Sequence, residues 1–303
     1  MTIVVNDIAA SCGGALTILE SFYDFVAEHD KANRWIFLCG GDYLQDTDSI
    51  RILRFPGVKK SWLRKLQFDL FSGRRIIAAL EPDVVLSMQN IITFGVKAPQ
   101  ALYLHQSLPF QRVKKFSLFK KDERISAIYQ RIVGKLYILS AKKADLVIVQ
   151  TKWMRKAVCE RAKLREDKVI SILPVLSDLT GYKREGLWDS RKFFYPTADN
   201  AYKNNGCIYA ACDALKEKGV SGFSVKLTIA GTRKDASIEY TRALPRTEVI
   251  HEYNASTLIF PSFVETVGLP LVEARQMGTL VLASDCPFSR EVLEGYENAY
   301  FFD

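Results

Sequence analysis

The 303-residue chain has no apolar run near the roughly 18–20 residues that a membrane-spanning helix needs. Its first residues, MTIVVND, enter a strand directly, without the basic and apolar regions of a signal peptide. Six cysteines (Cys12, Cys39, Cys159, Cys207, Cys212 and Cys286) form no CxxC pair and no zinc spacing. Most sit among apolar neighbours and read as reduced thiols in a cytoplasmic protein. Histidine is scarce, three in all, and His29 and His251 read as structural. There is no GxGxxG fingerprint, and no recognisable nucleic-acid-binding motif accompanies the basic charge. The one DxD triplet, Asp46-Thr47-Asp48, lies in a polar turn before the apolar stretch 50–55 and reads as solvated, so no metal site is expected. What remains is an ordinary globular composition, 48% hydrophobic and 25% charged, in a chain long enough for two domains.

The net charge of +8 is unevenly spread. Residues 1–174 carry 28 Lys and Arg against 17 Asp and Glu, and residues 175–303 carry 14 against 17. A basic half joined to a mildly acidic one points to a surface that meets something anionic, and with no nucleic-acid motif an anionic membrane surface is the better fit. Two stretches could supply it. Lys59 to Leu80 is expected to be helical, with Leu63, Leu66, Leu70, Ile77 and Leu80 on one face and Lys59, Lys60, Arg64, Lys65, Arg74 and Arg75 around it. Trp62 lies near the boundary, and Gly73 is a point where the helix could split. Phe110 to Arg124 mixes lysines with Phe116, Leu118 and Phe119, which suits either a bilayer surface or a lid packed over a cleft.

Short apolar strands alternate with amphipathic helices along the whole chain, as in a parallel α/β architecture. Strands are expected near Ile3–Val5, Trp35–Cys39, Asp83–Met88, Gln100–Leu104, Leu146–Val149 and Val169–Leu173. A second set is expected at Phe193–Tyr195, Val225–Ala230, Thr257–Phe260, Thr279–Ala283 and Ala299–Phe302. A helix after Arg124 has Ile125, Ile128, Ile132, Leu136 and Leu139 along one face. Residues 1–174 read as one domain, 175–190 as a linker and 191–303 as a second domain. Gly13-Gly14, at the entrance of the first helix, permits close backbone approach of a ligand, though such a pair is also an ordinary turn.

The most informative stretch is Phe260 to Arg290. A buried strand leads into a loop carrying Glu265 and Gly268, then a helix opened by Pro270 and closed by Gly278, then another strand. Glu265 and Glu273 bracket the helix entrance. Between them the free N–H groups of Gly268 and Leu269, at the positive end of the helix dipole, suit a phosphate. The flanking carboxylates suit sugar hydroxyls. A phosphate between two polyols describes a nucleotide-sugar, although acidic residues at a helix start also simply satisfy its dipole.

With its neighbours, F-P-S-F-V-E-T-V-G-L-P-L-V-E-A resembles the E-x7-E signature of the retaining family-four, or group 1, glycosyltransferases. The segment ADLVIVQTKWMRKAV is similar to the same family. The resemblance implies the GT-B architecture: two Rossmann-like domains whose parallel sheets face across a cleft, the first on the acceptor side and the second binding the donor. It implies Glu273 on the nucleotide ribose, Glu265 beside the donor sugar, Lys203 on the diphosphate, and Gly13 and Gly14 in a loop facing the cleft. His105, at a strand end, falls where the family often places a residue near the reacting sugar. Relatives carry an Arg shortly before the Lys; here Pro196, Thr197 and Ala198 stand in its place, and Arg233 is the candidate substitute. Relatives also usually continue for several dozen residues past the strand at 299–302. The implied activity is metal- and cofactor-independent transfer of a hexose from a nucleotide-diphospho-sugar to a lipid-linked or saccharide acceptor, with retention. The setting is cell-surface polysaccharide synthesis at the inner face of the membrane. A nucleotide-sugar epimerase or an inactive donor-binding subunit would share these features.

Overall fold

The computed structural model describes residues 1–10, 13–174 and 177–303; Cys12 and the first two residues of the expected linker lie outside these. The chain forms two compact units: Met1–Gln106 with Val133–Pro174, and Ser107–Ile132 with the chain after Pro174. The segment 107–132, expected in the first domain, thus groups with the second.

In chain order the first unit contains β1 (Thr2–Asp7), α1 (Gly13–His29), β2 (Arg34–Cys39), β3 (Ile50–Arg54), α2 (Pro56–Lys59), α3 (Trp62–Gln67), α4 (Gly73–Ala78), β4 (Val84–Ser87) and β5 (Gln100–Tyr103). After α5 (Arg124–Ile128) of the second unit come α6 (Gly134–Lys143), β6 (Leu146–Val149), α7 (Lys152–Ala162) and β7 (Val169–Ser171). The seven strands are all parallel, in the order β3-β2-β1-β4-β5-β6-β7. Successive residues of a strand face opposite sides. Accordingly Val5 and Phe37 pack with Leu19 and Val26 of α1, while Val4, Ile36 and Leu38 pack with Phe68 and Ile77 on the other side. Helices on both faces explain why these strands are apolar throughout rather than alternating.

The helix expected over Lys59–Leu80 is broken into α2, α3 and α4, with a π-turn at Phe68–Ser72. A Cβ at Gly73 would lie 2.7 Å from both the Phe68 ring and the Phe68 carbonyl oxygen, so only glycine lets Phe68 reach the core there. Two assignments on this stretch are corrected. Leu63, expected on the buried face, is exposed, whereas Lys65, expected outside, is largely buried, its side chain 14% exposed, and paired with the inaccessible carboxylate of Asp69. Periodicity misjudges both because the stretch is not one helix: Leu63 and Lys65 lie on the short α3, whose phase is offset from that of α4 by the π-turn between them.

The second unit contains β8 (Lys192–Tyr195), α8 (Asn205–Glu217), β9 (Ser224–Leu227), β10 (Ile238–Tyr240), α9 (Arg246–Ala255), β11 (Thr257–Phe260), α10 (Leu269–Met277), β12 (Val281–Ser284), α11 (Pro287–Val292) and β13 (Ala299–Phe302). Its six strands are also parallel, ordered β10-β9-β8-β11-β12-β13. The three-residue β10 gives too short an apolar pattern to be expected from sequence.

The segment 107–132 is tied together by its own polar groups. The Phe116 N–H donates to Gln130 Oε1 at 3.0 Å, Arg131 donates to the Phe116 carbonyl at 2.7 Å, and the Ser117 N–H donates to Glu123 Oε2 at 2.7 Å. Lys114 Nζ sits 4.6 Å from the centre of the Phe263 ring, on the loop after β11. Phe116 is completely buried and so cannot enter a bilayer; Phe119 is 94% exposed. On the helix that follows, Ile125, Ile132 and Leu139 are exposed rather than facing the core, which is reached instead by Val133, Tyr137 and Ala141. A π-turn at Tyr129–Val133 again shifts the phase.

Candidate functional site

In an open parallel sheet, a ligand crevice forms outside the strand carboxyl ends where strand order reverses. In the second unit that point lies between β8 and β11. The loop leaving β8 carries Lys203 and the loop leaving β11 carries Glu265, and they meet: Lys203 Nζ donates to Glu265 Oε1 at 2.7 Å. Ser262 donates to the same oxygen at 2.9 Å, and Ser262 Oγ lies 2.7 Å from the Tyr195 hydroxyl. The Phe263 N–H donates to the Tyr202 carbonyl at 2.8 Å, joining the two loops through their backbones. Burial disfavours charge on Lys203, but Glu265 and the surrounding tyrosine oxygens outweigh it and hold its pKa above the usual lysine value. The ammonium is therefore fixed and permanently charged.

The loop ends at Gly268, the N-cap of α10, with φ of +78°, a backbone conformation that side chains resist. Pro270 occupies the first turn, where its missing N–H costs nothing. Glu273 lies about one turn into the helix. It is nearly buried, with Arg246 Nη1 2.6 Å from Oε1 and the Tyr253 hydroxyl 2.7 Å from Oε2. Burial and then the Glu273 charge push the Tyr253 pKa well up, so it stays a donor. Arg246 and Tyr253 are the site residues that sequence reasoning missed. They lie 27 and 20 residues before Glu273 on a different helix, and no spacing in the sequence marks the contact.

Arg233 does not join this group through any contact among the described residues. Its guanidinium is taken by the carboxylates of Asp213 and Asp235 and lies 5.5 Å from the Tyr209 ring centre, so it brings no surplus positive charge.

In the first unit, order reverses between β1 and β4. Gly13 and Gly14 open α1 just beyond β1, and His105 follows β5. The His105 backbone N–H donates to Asn90 Oδ1 at 2.7 Å, which makes the Asn90 amide nitrogen the group 3.1 Å from His105 Nε2. Nε2 therefore accepts, and the neutral ring carries its proton on Nδ1. Burial lowers the His105 pKa to about 4, consistent with a neutral ring. Asp46 of the DxD triplet accepts a hydrogen bond from the Ile52 N–H at 2.6 Å, as a turn residue does. Among the described residues no group of three His, Cys, Asp or Glu could hold a metal ion. No helix of the described residues is long and apolar enough to cross a membrane.

Residues 189–303 match the model of the family described as glycosyl transferases group 1. No curated protein sequence matches significantly. Among solved structures, HepE of Anabaena in complex with UDP-glucose superposes with a TM-score of 0.66 at 16% identity, covering 100% of this chain and 85% of that one. Sucrose-phosphate synthase of Thermosynechococcus elongatus gives 0.68 at 12% identity, covering 99% and 85%. WaaG, a glycosyltransferase involved in lipopolysaccharide biosynthesis, gives 0.62 at 10% identity, covering 99% and 85%. At these identities the likeness is one of fold, and the fold is that of the GT-B glycosyltransferases.

Proposed function

We propose that this chain, whose residues 189–303 match the model of the group 1 glycosyl transferases, moves a hexose from a nucleotide-diphospho-sugar to an acceptor hydroxyl with retention of anomeric configuration. The observation that carries this reading is the meeting of Lys203 and Glu265 at the switch point of the second sheet, beside the N-terminus of α10. That arrangement offers a diphosphate a fixed cation and the N–H groups of Gly268 and Leu269 at the start of α10, for which no partner is seen among the described residues. It offers a carboxylate to the hydroxyls of the attached sugar.

The chemistry needs little else. As the bond from the anomeric carbon to the diphosphate oxygen breaks, negative charge collects on the diphosphate. The N–H groups of Gly268 and Leu269 and the Lys203 ammonium stabilise it, as preorganised donors do in an oxyanion hole. The acceptor oxygen bonds to the same carbon on the same face, and its proton passes to a phosphate oxygen of the departing group. Glu265, shared between Lys203 and the sugar, positions the donor; Glu273 takes the ribose. His105, neutral with an Nδ1 proton to give, is a hydrogen-bond partner for a sugar hydroxyl on the first unit. No metal or cofactor enters this scheme.

The acceptor is proposed to be a lipid-linked saccharide of cell-surface polysaccharide synthesis, met by a cytoplasmic protein held reversibly on an anionic membrane. Trp62, Leu63 and Phe71 are exposed beside the exposed bases Lys60, Arg64, Arg74 and Arg75, a surface suited to headgroups and the acyl boundary.

A thermal-shift panel of UDP-, GDP-, ADP- and dTDP-sugars tests the donor site, starting from UDP-glucose because HepE holds it. A ligand at a hundred times its Kd adds about 2.7 kcal/mol. Release of the nucleoside diphosphate with an axial or equatorial product matching the donor, read by NMR, tests transfer and retention. Stabilisation by no nucleotide-sugar removes the reading; binding without turnover over an acceptor screen leaves a donor-binding subunit.

A further inference from the structure

The partners of Glu273 carry an inference that rests on the donor-site reading and goes beyond it. An ionised carboxylate offers about four lone-pair positions. Tyr253 fills one on Oε2 and Arg246 one on Oε1, which leaves one on each oxygen for the two neighbouring hydroxyls of a ribose. Arg246 is not buried in making this contact: its side chain is 51% exposed, against 10% for Glu273. A guanidinium has five N–H donors, and among the described residues Glu273 alone takes a hydrogen bond from it. Arg246 is also the first residue of α9, so its backbone sits at a helix start rather than in a mobile loop.

The direction of α10 orders the ligand along these residues. With a rise of about 1.5 Å per residue, Glu273 stands roughly 6 Å along the axis from Leu269. A nucleotide whose phosphates meet the helix N-terminus has its ribose at Glu273. Its base continues beyond the ribose, towards the guanidinium that pairs with Glu273. We propose that Arg246 is a specificity-determining residue of the donor site: it holds the Glu273 carboxylate with one N–H and donates others to a carbonyl oxygen of the nucleobase. Uracil, thymine and guanine carry such an oxygen and adenine does not, so the site selects keto bases.

Calorimetric Kd values for UDP, GDP, ADP and inorganic pyrophosphate, with the parent, Arg246→Gln and Arg246→Lys, test this. The parent is expected to bind UDP or GDP at least ten-fold more tightly than ADP. Arg246→Gln is expected to lose roughly 10- to 100-fold for the keto nucleotide, the range of one charge-assisted hydrogen bond, to weaken ADP less than that through the ribose contact of Glu273, and to leave pyrophosphate unchanged. Arg246→Lys keeps an ion pair with Glu273 but not the fork; it should lose base discrimination while retaining pyrophosphate, and it carries the comparison should Arg246→Gln not fold. A parent that binds none of the four ligands refutes the donor site itself. A parent that binds, with both variants matching it or both losing all ligands equally, overturns the role of Arg246 and leaves the donor site standing.

Discussion

At the scale of single residues, the two glutamates of the E-x7-E stretch have separate partners and should fail separately. Glu273→Ala removes the ribose acceptor and is expected to weaken nucleotide binding by on the order of 1.5–3 kcal/mol. Glu265→Ala frees Lys203 and should chiefly lower turnover. Equal donor Kd and equal kcat for both variants and the parent, by calorimetry and product release, would contradict these assignments. Arg233 makes the reverse case. Because Asp213 and Asp235 already neutralise it, Arg233→Ala is expected to lower Tm while leaving donor affinity within about two-fold, since a charge already paired adds little field at a distance. A donor Kd weakened ten-fold or more would show that the diphosphate draws Arg233 out of its pair. The sequence placed an arginine in a plausible loop; only the fold puts two carboxylates around it.

At the scale of elements, the broken helix of residues 56–78 carries a sharp test. By intrinsic propensity, Gly73→Ala should stabilise a helix by up to about 1 kcal/mol. The Cβ would instead strike the Phe68 carbonyl and ring at 2.7 Å, and a backbone oxygen cannot rotate away. Gly73→Ala is therefore expected to destabilise by roughly 1–3 kcal/mol, as overpacking does, read from the urea midpoint. A raised midpoint would mean that the π-turn relaxes freely to α. The same stretch shows how far periodicity reaches. It locates the helical region and its apolar content, yet the π-turn offsets the phase of α3 from that of α4, so no single face runs through Leu63 and Ile77 alike. The second π-turn does the same to Ile132 and Leu139. Strands suffered less, because a parallel strand buried on both faces has no phase to lose.

At the scale of the whole molecule, charge governs two expectations. The basic half and the exposed Trp62, Leu63 and Phe71 should bring the protein down with vesicles rich in anionic lipid. Each base near such a surface contributes about 1 kcal/mol. Changing Lys60, Arg64, Arg74 and Arg75 to Gln, or raising salt until the Debye length is about 3 Å, should release it. Sedimentation that ignores both lipid charge and these substitutions would remove the membrane from the account. The second expectation concerns pH. Asp7, at the end of β1, is 2% exposed, and burial raises its pKa to about 7 despite help from the Ala10 N–H and Lys65. The folded state therefore holds this proton better than the unfolded chain, so this group's contribution to stability is greatest near pH 4 and is lost as pH rises through 7. Asp7→Asn should raise Tm at pH 8, by the equivalent of a few kcal/mol at most, and change it little at pH 4. An equal shift at both pH values would assign the effect to packing rather than titration.

The sequence by itself determined what depends on neighbours within a turn or two of chain. Alternating apolar strands and amphipathic helices marked out two parallel α/β units, though not the three-residue β10 or the six-residue α11. Pro270 and Gly278 marked the ends of α10, and Glu265 and Glu273 were placed at its entrance. Tertiary structure decided what depends on strand order. Lys203 meets Glu265 across 62 residues because β8 and β11 are neighbours at the reversal of the sheet. Arg246 and Tyr253 reach Glu273 because α9 and α10 flank β11. The segment 107–132, whose aromatics read as a membrane surface, buries Phe116 and lays Lys114 over Phe263 instead. A carboxylate's position can be read from helix signals beside it, whereas the donors that saturate it come from wherever the sheet brings the chain back. That difference is why the glutamates were legible and their partners were not.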